Sequence, residues 1–445
     1  MKLFSALAGS ALFLCSCAQH TGARDSKDYS APSNAHRADV LVAWNKRVLA
    51  IAQAEDKFLT LKGVRTAAMM HIAMHDALNA THRRYASYTY DGEAPDADPV
   101  VAVAQAGYEV AVDQYPAQRA QLTQDLQRWI DPVTDSAAKS KAIAVGKASA
   151  AAILHKRRDD GWDRQAEYRW HPMGPGVYAE FGEHSGTPQG FVFGAGWATV
   201  TPFALRSPAQ FRSPPPPAVE SDEYTLAFDE VKEIGRYGSR SRTQDQTHIA
   251  MWWKDFAENS HNRLARQLVT ADDTDLWVSA RLFALLNIGI MDGYISVFDN
   301  KFFYNHWRPY TAIRWADNDG NPRTLADPEW NNTHRHTYAF PSYPSAHGTV
   351  CAAAMLVMAN AFGDAHPFRM ETLEVDSAGP MSAKVRMDPP TRSFDRFSSA
   401  AMECAMSRVY LGIHFRYDSI EGNRLGRQIG DYVLETALLP ATRAR

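Results

Sequence analysis

The chain has 445 residues, 45% hydrophobic and 22% charged, enough to bury one large core or two packed helical halves. A formal net charge of -3 at pH 7 excludes a general nucleic-acid binder, which needs a clear basic excess.

Along the chain, Lys2 precedes an apolar run from Leu3 to Cys15. The run is too short for a permanent membrane helix and ends in small residues, as an export signal does. Its end, Leu14-Cys15-Ser16-Cys17, resembles the bacterial lipobox, which implies a lipid anchor on Cys17 as the first mature residue. Ala18 is not acidic, so the expected destination is the outer membrane, at its periplasmic face or the cell surface. Residues 18–38 are polar and aperiodic and read as a flexible tether. Once residues 1–17 are removed, the remaining cysteines are Cys351 and Cys404. Both lie in small-residue helical stretches and are expected as buried free thiols, although an exported protein is able to pair them.

Helical periodicity governs most of the chain beyond the tether. Val64 to Ala80 repeats apolar residues at helical spacing, and His71, His75 and Asp76 within it read as structural. Ser136 to Leu154 is a second helix, with Asp135 before it and Lys156, Arg157 and Arg158 after it, as helix-end electrostatics favour. Between about 159 and 220 the chain is irregular and rich in Gly, Pro and aromatic residues. Pro214 to Pro217 must be extended there, as a connector between a helical half at 39–210 and a second domain at 211–445. Further helices are expected near 222–236, 243–256, 274–299, 347–362, 395–411 and 418–437. No series of alternating runs with hairpin turns appears. Beyond the leader, the apolar run closest to a membrane span, Leu282 to Met291, is stopped by Asp292. That carboxylate is expected to support Arg308 or Arg408.

Three segments carry chemistry. In Lys301-Phe-Phe-Tyr-Asn-His-Trp-Arg308-Pro309, a helix, if it runs through, sets the two cations on one face, two turns apart, with Pro309 ending or kinking it. In Phe340-Pro341-Ser342-Tyr343-Pro344-Ser345-Ala346-His347, the prolines hold the backbone extended and Ser345 becomes a helix N-cap. Free amides at such an end bind anions, and His347 sits in the first turn as an acid or base. In Ser407-Arg408-Val-Tyr-Leu-Gly412-Ile-His414-Phe-Arg-Tyr-Asp418, Gly412 suits a left-handed helix stop. Asp418, four residues past His414, is placed to accept its Nδ1–H.

Taken in order, these three segments resemble the signature of the superfamily that joins the vanadium-dependent haloperoxidases and the type-2 phosphatidic acid phosphatases (PAP2). Trp307 and Phe340-Pro341-x-Tyr343 resemble the bacterial haloperoxidase branch, and the likeness extends over about 40–437, the 64–80 helix and the proline-rich connector included. It implies an all-α fold of two packed helical bundles, with the oxyanion site in the C-terminal, PAP2/haloperoxidase-like bundle. One residue departs from the pattern: Ala346 stands where the haloperoxidases usually have glycine. Its backbone N–H is retained, and the added methyl narrows the pocket.

The resemblance implies vanadate as the cofactor, bound by Lys301, Arg308, Ser345, the Ala346 N–H, Arg408 and His414. His414 would be the one protein ligand to the metal. Hydrogen peroxide and halide would be the substrates, with His347 moving protons, Lys301 polarising peroxide and Asp418 orienting His414. The alternative is a phosphatase without a cofactor. A small phosphate ester would bind in place of vanadate, and His414 would form a phosphohistidine while His347 protonates the leaving group. A lipid-anchored oxyanion binder without turnover is a third reading, which the presence of both histidines and Asp418 disfavours. Trp307, His306, Phe340 and Tyr343 are the expected pocket walls.

Overall fold

The computed structural model describes residues 38–55, 57 and 60–441. The signal and lipid-anchor reading at residues 1–17, Cys17 included, and nearly all of the tether lie outside them. Among the described residues there are fourteen α-helices. The first five are α1 (Asp39–Glu55), α2 (Lys62–Thr81), α3 (Pro99–Gln114), α4 (Arg119–Ile130) and α5 (Ser136–Lys156). Asp98 and Asp135 cap α3 and α5 with their carboxylates, and Pro99 takes the first turn of α3, where no N–H is needed. Helix α2 is buried from Gly63 to Thr81 and packs on α1, α3, α5 and the later α10. Its polar residues find separate partners. His71 Nε2 lies 2.9 Å from Asn45 Nδ2, and His75 Nδ1 lies 3.0 Å from Asp76.

The irregular segment holds one α-helical turn, α6 (Gly182–Ser185), and one 3₁₀ turn, Trp197–Thr199. After it come α7 (Asp222–Ile234), α8 (Gln244–Trp252), α9 (Ala257–Ala271), α10 (Leu276–Tyr304) and α11 (Pro309–Trp315). Helix α10 is long and apolar enough to cross a membrane, more than the sequence reading allowed, yet 89% of its apolar window is buried inside the protein. It is the central strut of the main core and packs against α2, α9, α12 and α14. Asp292 on this helix is wholly buried and accepts from the amides of Phe203, Ala204 and Leu205 at 2.6, 2.7 and 2.9 Å. The expected pairing with a site arginine is therefore corrected: three backbone donors of the connector satisfy this carboxylate.

The last three helices are α12 (Ala346–Phe362), α13 (Phe397–Leu411) and α14 (Arg416–Thr436). Between α12 and α13 lie four short strands absent from the sequence reading. β1 (Phe368–Glu371) pairs antiparallel with β4 (Thr391–Phe394), and β2 (Glu374–Asp376) pairs antiparallel with β3 (Lys384–Arg386). Cys351 and Cys404 form a disulfide joining α12 to α13, in place of the free thiols expected. One hydrophobic cluster draws on residues from Ala38 to Leu438. A second, mainly aromatic cluster, including Tyr224, Trp307, Tyr343 and Phe415, forms behind the site.

Candidate active site

No single helix joins Lys301 to Arg308, the condition under which their spacing would set them on one face. Asn305 adopts a left-handed conformation (φ 50°, ψ 40°) that ends α10 after Tyr304, a conformation asparagine tolerates better than most residues. Arg308 is extended (φ -90°, ψ 154°) because Pro309 follows it, and Pro309 opens α11 rather than ending a helix. The two cations still converge, by way of a turn. Lys301 Nζ donates to the carbonyls of Pro341, Ser342 and Pro344 at 3.1, 2.6 and 2.6 Å. Its three donors are thereby spent on the loop that leads to Ser345, and what it offers the site is charge.

Arg308 is fully buried. Its Nε donates to Phe340 O at 2.8 Å and its Nη1 to Ile413 O at 3.0 Å, while Nη2 has no hydrogen-bond partner among the described residues. Nη1 also lies 3.1 Å from His414 Nε2. A guanidinium only donates, so His414 Nε2 accepts and the ring proton sits on Nδ1. That nitrogen is 2.9 Å from Asp418 Oδ2, as the spacing predicts. Ser342 also donates to Asp418, and the Phe415 amide approaches the same oxygen at 3.2 Å. The tautomer of His414 is thus fixed from both sides, with its Nε2 lone pair turned toward the cationic end of the site.

Ser345 is the N-cap of α12, its Oγ accepting the Gly348 amide at 3.2 Å. The amides of Ala346 and His347 belong to the turn that has no intrahelical partners. Ser345 N donates to Asp418 O at 2.9 Å. A close approach of α14 to α12 makes this possible: a Cβ on Gly422 would lie 2.5 Å from Ser345 O. His347 Nε2 is 3.3 Å from Asp255 O, which can only accept, so Nδ1 carries the lone pair. Arg408, one turn before the end of α13, bonds Ser407 Oγ through Nε at 3.1 Å, and its Nη2 finds no partner among the described residues. Gly412 follows in the left-handed conformation (φ 81°), as expected, and turns the chain toward His414.

These groups meet at a cavity of about 760 Å³, lined by Ala346, His347, Arg408 and His414 among others. Arg308, Lys301, Ser345 and Asp418 stand directly behind that wall. Of the four expected wall residues, Phe340 lines the cavity. Trp307 is instead buried in the aromatic cluster, His306 faces Tyr417 OH at 2.8 Å, and Tyr343 donates to Pro214 O at 2.7 Å. The remaining walls include residues the sequence did not single out: Phe193, Trp197, Lys254, Phe256, Tyr294, Phe298, His336 and Tyr338. Lys254 Nζ donates to the carbonyls of Asp376 and Ala378.

Burial sets the charge states. It pushes Arg308 and Arg408 down to about 10, which leaves both charged at neutral pH. His414 is held well below its usual value by burial and then by Arg308 and Lys301; His347 is held down by burial and then by Arg408. Both imidazoles are neutral. Burial pushes Asp418 up to about 7, against the Ser342 hydrogen bond and the charges of Lys301 and Arg308. Lys254 is pushed down to about 7 by burial and then by Arg408. Buried cations with unpartnered donors call for an anion. The two Nη2 atoms, the opening turn of α12 and the Nε2 lone pair of His414 fit a tetrahedral oxyanion such as vanadate or phosphate.

Residues 281–440 match the family of the VCPO second helical-bundle domain. Vanadium chloroperoxidase from Curvularia inaequalis is 24% identical over 278 residues, covering 50% of this chain and 45% of that protein. The chain thus matches less than half the length of that relative. Among solved structures, a bacterial vanadium-dependent iodoperoxidase superposes with a TM-score of 0.73 at 22% identity, over 93% of this chain and 100% of that one. A holo-type bacterial vanadium-dependent chloroperoxidase gives 0.64 at 17% identity, over 84% and 90%. Residues 281–440 are thus similar to the VCPO second helical-bundle domain, and the chain has the helical-bundle fold of the vanadium haloperoxidases.

Proposed function

We propose that the protein is a vanadate-dependent haloperoxidase that oxidises halide with hydrogen peroxide. The observation that carries the reading is the clustering at one cavity wall of Arg408, which lines it, and Arg308, which stands behind it against His414, each with an unpartnered Nη2 among the described residues, and of a neutral His414 whose Nδ1–H is tied to Asp418. The relatives named vanadium chloroperoxidase and vanadium-dependent iodoperoxidase support it.

In this reading His414 Nε2 would be the protein's ligand to vanadium, and Arg308, Arg408 and the Ala346 amide would hold the oxygens. The bound vanadate supplies the Lewis acidity that activates peroxide toward halide. Lys301 fixes the 341–344 loop and adds positive charge from behind it. His347, neutral and with Nδ1 unprotonated, takes up a proton from incoming peroxide and returns one to departing water. Asp418 keeps the His414 proton on Nδ1 throughout, so Nε2 stays available.

Bromination of a dye with bromide, peroxide and metal-free protein is the test. Activity that requires added orthovanadate and is lost in His414→Ala is the expected result. Hydrolysis of p-nitrophenyl phosphate without bromination, inhibited by vanadate, would overturn this reading in favour of a phosphohistidine phosphatase.

Export with a lipid anchor on Cys17 also belongs to the proposal. The Cys351–Cys404 disulfide supports it, since such bonds persist in oxidising compartments. Expressed in a bacterium, wild-type protein should incorporate labelled palmitate and Cys17→Ser should not; equal labelling of the two would refute the anchor.

A further inference from the structure

Oxidised halogen formed at the oxyanion site reaches solvent through the cavity, and the mouth of that cavity carries a thioether. The end of β2 and the loop that leads to β3, residues 377–383, supply part of the wall, including Asp376, Gly379, Met381 and Ser382. Met381 is the one sulfur side chain among the described residues that line the cavity. It is also 67% exposed, against 43% for Met173 and 38% for Met402, the other exposed methionines among the described residues. Neither of those two lines the cavity. A side chain that belongs to the wall and is open to solvent stands at the mouth.

The loop is pinned on both sides of Met381. Before it, Lys254 Nζ donates to the carbonyls of Asp376 and Ala378, and Gly379 packs so closely on His336 that a Cβ there would overlap the ring. After it, Ser382 Oγ accepts the Ala378 amide at 3.0 Å, and the Ser382 amide donates to Gly379 O at 3.2 Å. The Ser377 amide closes the turn on Ala383 O at 2.8 Å. Within it Met381 holds a left-handed conformation (φ 69°), which a residue with a side chain keeps only where its surroundings fix it. The backbone is thus set at the mouth, while the unbranched side chain stays free to turn. Its sulfur is polarisable, uncharged and has no proton to lose before it reacts, so it is readily oxidised.

We propose that Met381 is a self-modification site, whose thioether intercepts hypohalous acid leaving the cavity and becomes methionine sulfoxide. The inference rests on the haloperoxidase reading. The sulfur lone pair takes the halogen, and hydroxide leaves. Water then attacks the sulfonium sulfur, halide departs with the electron pair of the sulfur–halogen bond, and two protons are lost, one of them to the hydroxide. The net reaction turns thioether and hypohalous acid into sulfoxide, halide and a proton. Sulfur is oxidised by two electrons, halogen is reduced by two, and the halide returns to the pool that feeds the site. Oxidant caught at the mouth is kept from the oxidisable rings of the wall, Trp197 and Tyr294.

The first arm of the test uses wild-type protein alone. Vanadate-loaded protein is turned over with bromide and peroxide in excess free methionine, which consumes hypobromous acid that has reached solvent. Peptide mass spectrometry then reads the gain of oxygen at each methionine. Sulfoxide at Met381 severalfold above that at Met173 and Met402 is expected, with little when bromide is left out. Hypobromous acid added from outside, in the same excess of methionine, should spare all three. Equal oxidation of the three, or an unmodified Met381 while a parallel sample without free methionine brominates a dye, overturns the proposal. Neither dye bromination nor sulfoxide would instead sink the haloperoxidase reading, and this inference with it.

In the second arm, Met381→Leu is turned over in the same way. Bromine or oxygen should then accumulate on Trp197 and Tyr294 faster than in wild type. Unchanged modification of those rings overturns the protective part of the proposal.

Discussion

Lys254 adds a cation to the wall shared with Arg408, and its charge is the one most easily lost. Burial and Arg408 bring it down to about 7; Asp376 opposes the shift, Lys384 adds to it, and the nearby His334 and His336 are held neutral by their own burial. As pH rises through 7, Lys254 gives up positive charge. Asp418, pushed up to about 7 by burial, gains negative charge over the same window. Both changes weaken anion binding. Affinity for sulfate, whose own charge is constant from pH 6 to 8.5, should therefore fall about tenfold across that range. Lys254→Met should flatten the profile. Calorimetric titration at several pH values checks this, and affinity that is constant or rises with pH would contradict it. The folded-state pKa of Lys254 lies below its unfolded value, so the unfolded chain binds more protons between about 7 and 10.5. The stability this group withholds is withheld in full below 7 and recovered as pH rises. The melting-point advantage of Lys254→Met should accordingly shrink from pH 7 to pH 10. The signature residues were legible in the sequence because each segment concentrates its own chemistry: proline beside arginine, proline-serine before histidine, aspartate four residues past histidine. Lys254 was not, since a lone lysine after Trp252-Trp253 carries no local sign that it will face Arg408.

Helices α12 and α13 carry His347 and Arg408, and the disulfide ties them one turn away from each. Cys351 follows His347 by four residues, and Cys404 precedes Arg408 by four. The bond thus limits how far the two groups separate at the cavity wall. The double substitution Cys351→Ala, Cys404→Ala should lower stability by about 2–4 kcal/mol and weaken sulfate binding. Denaturant melts and calorimetry read the two effects separately, and unchanged sulfate affinity would confine the bond to stability. Asp292→Ala should behave differently. Losing the acceptor for three connector amides should cost about 3 kcal/mol with sulfate affinity retained, because Arg308 and Arg408 have other contacts. At this scale the helices singled out in the sequence match the structure to within a few residues at most ends, whereas α1, α3, α4 and α9 were not singled out. Other errors lie where one residue's conformation decides. Asn305 ends α10 before Arg308, and Pro309 starts α11; the sequence reads equally well as a helix broken by Pro309. The strands between Phe368 and Phe394 are three or four residues long, too short to show alternation.

For the whole molecule, the main cluster runs from Ala38 to Leu438, and the cavity takes walls from Thr60 through His414. An anion bound at the site should therefore stabilise the fold as one unit, by about 2.7 kcal/mol at a hundred times its dissociation constant. A single cooperative melt that moves upward with orthovanadate is expected, and a melt insensitive to it would speak against the site. The aromatic half of the cavity was the least legible part of the sequence. Phe193 and Trp197 sit in an aperiodic stretch, and their meeting with Phe298 and Phe340 is set by tertiary packing.

The most direct measurement is a calorimetric titration of orthovanadate into metal-free wild type and His414→Ala. The structure predicts one site per chain in wild type and affinity at least about a hundredfold weaker in the variant, since the ligand that Arg308 and Asp418 hold in place is gone. No binding in wild type, or equal binding by both proteins, would contradict the assignment of His414 as the vanadium ligand.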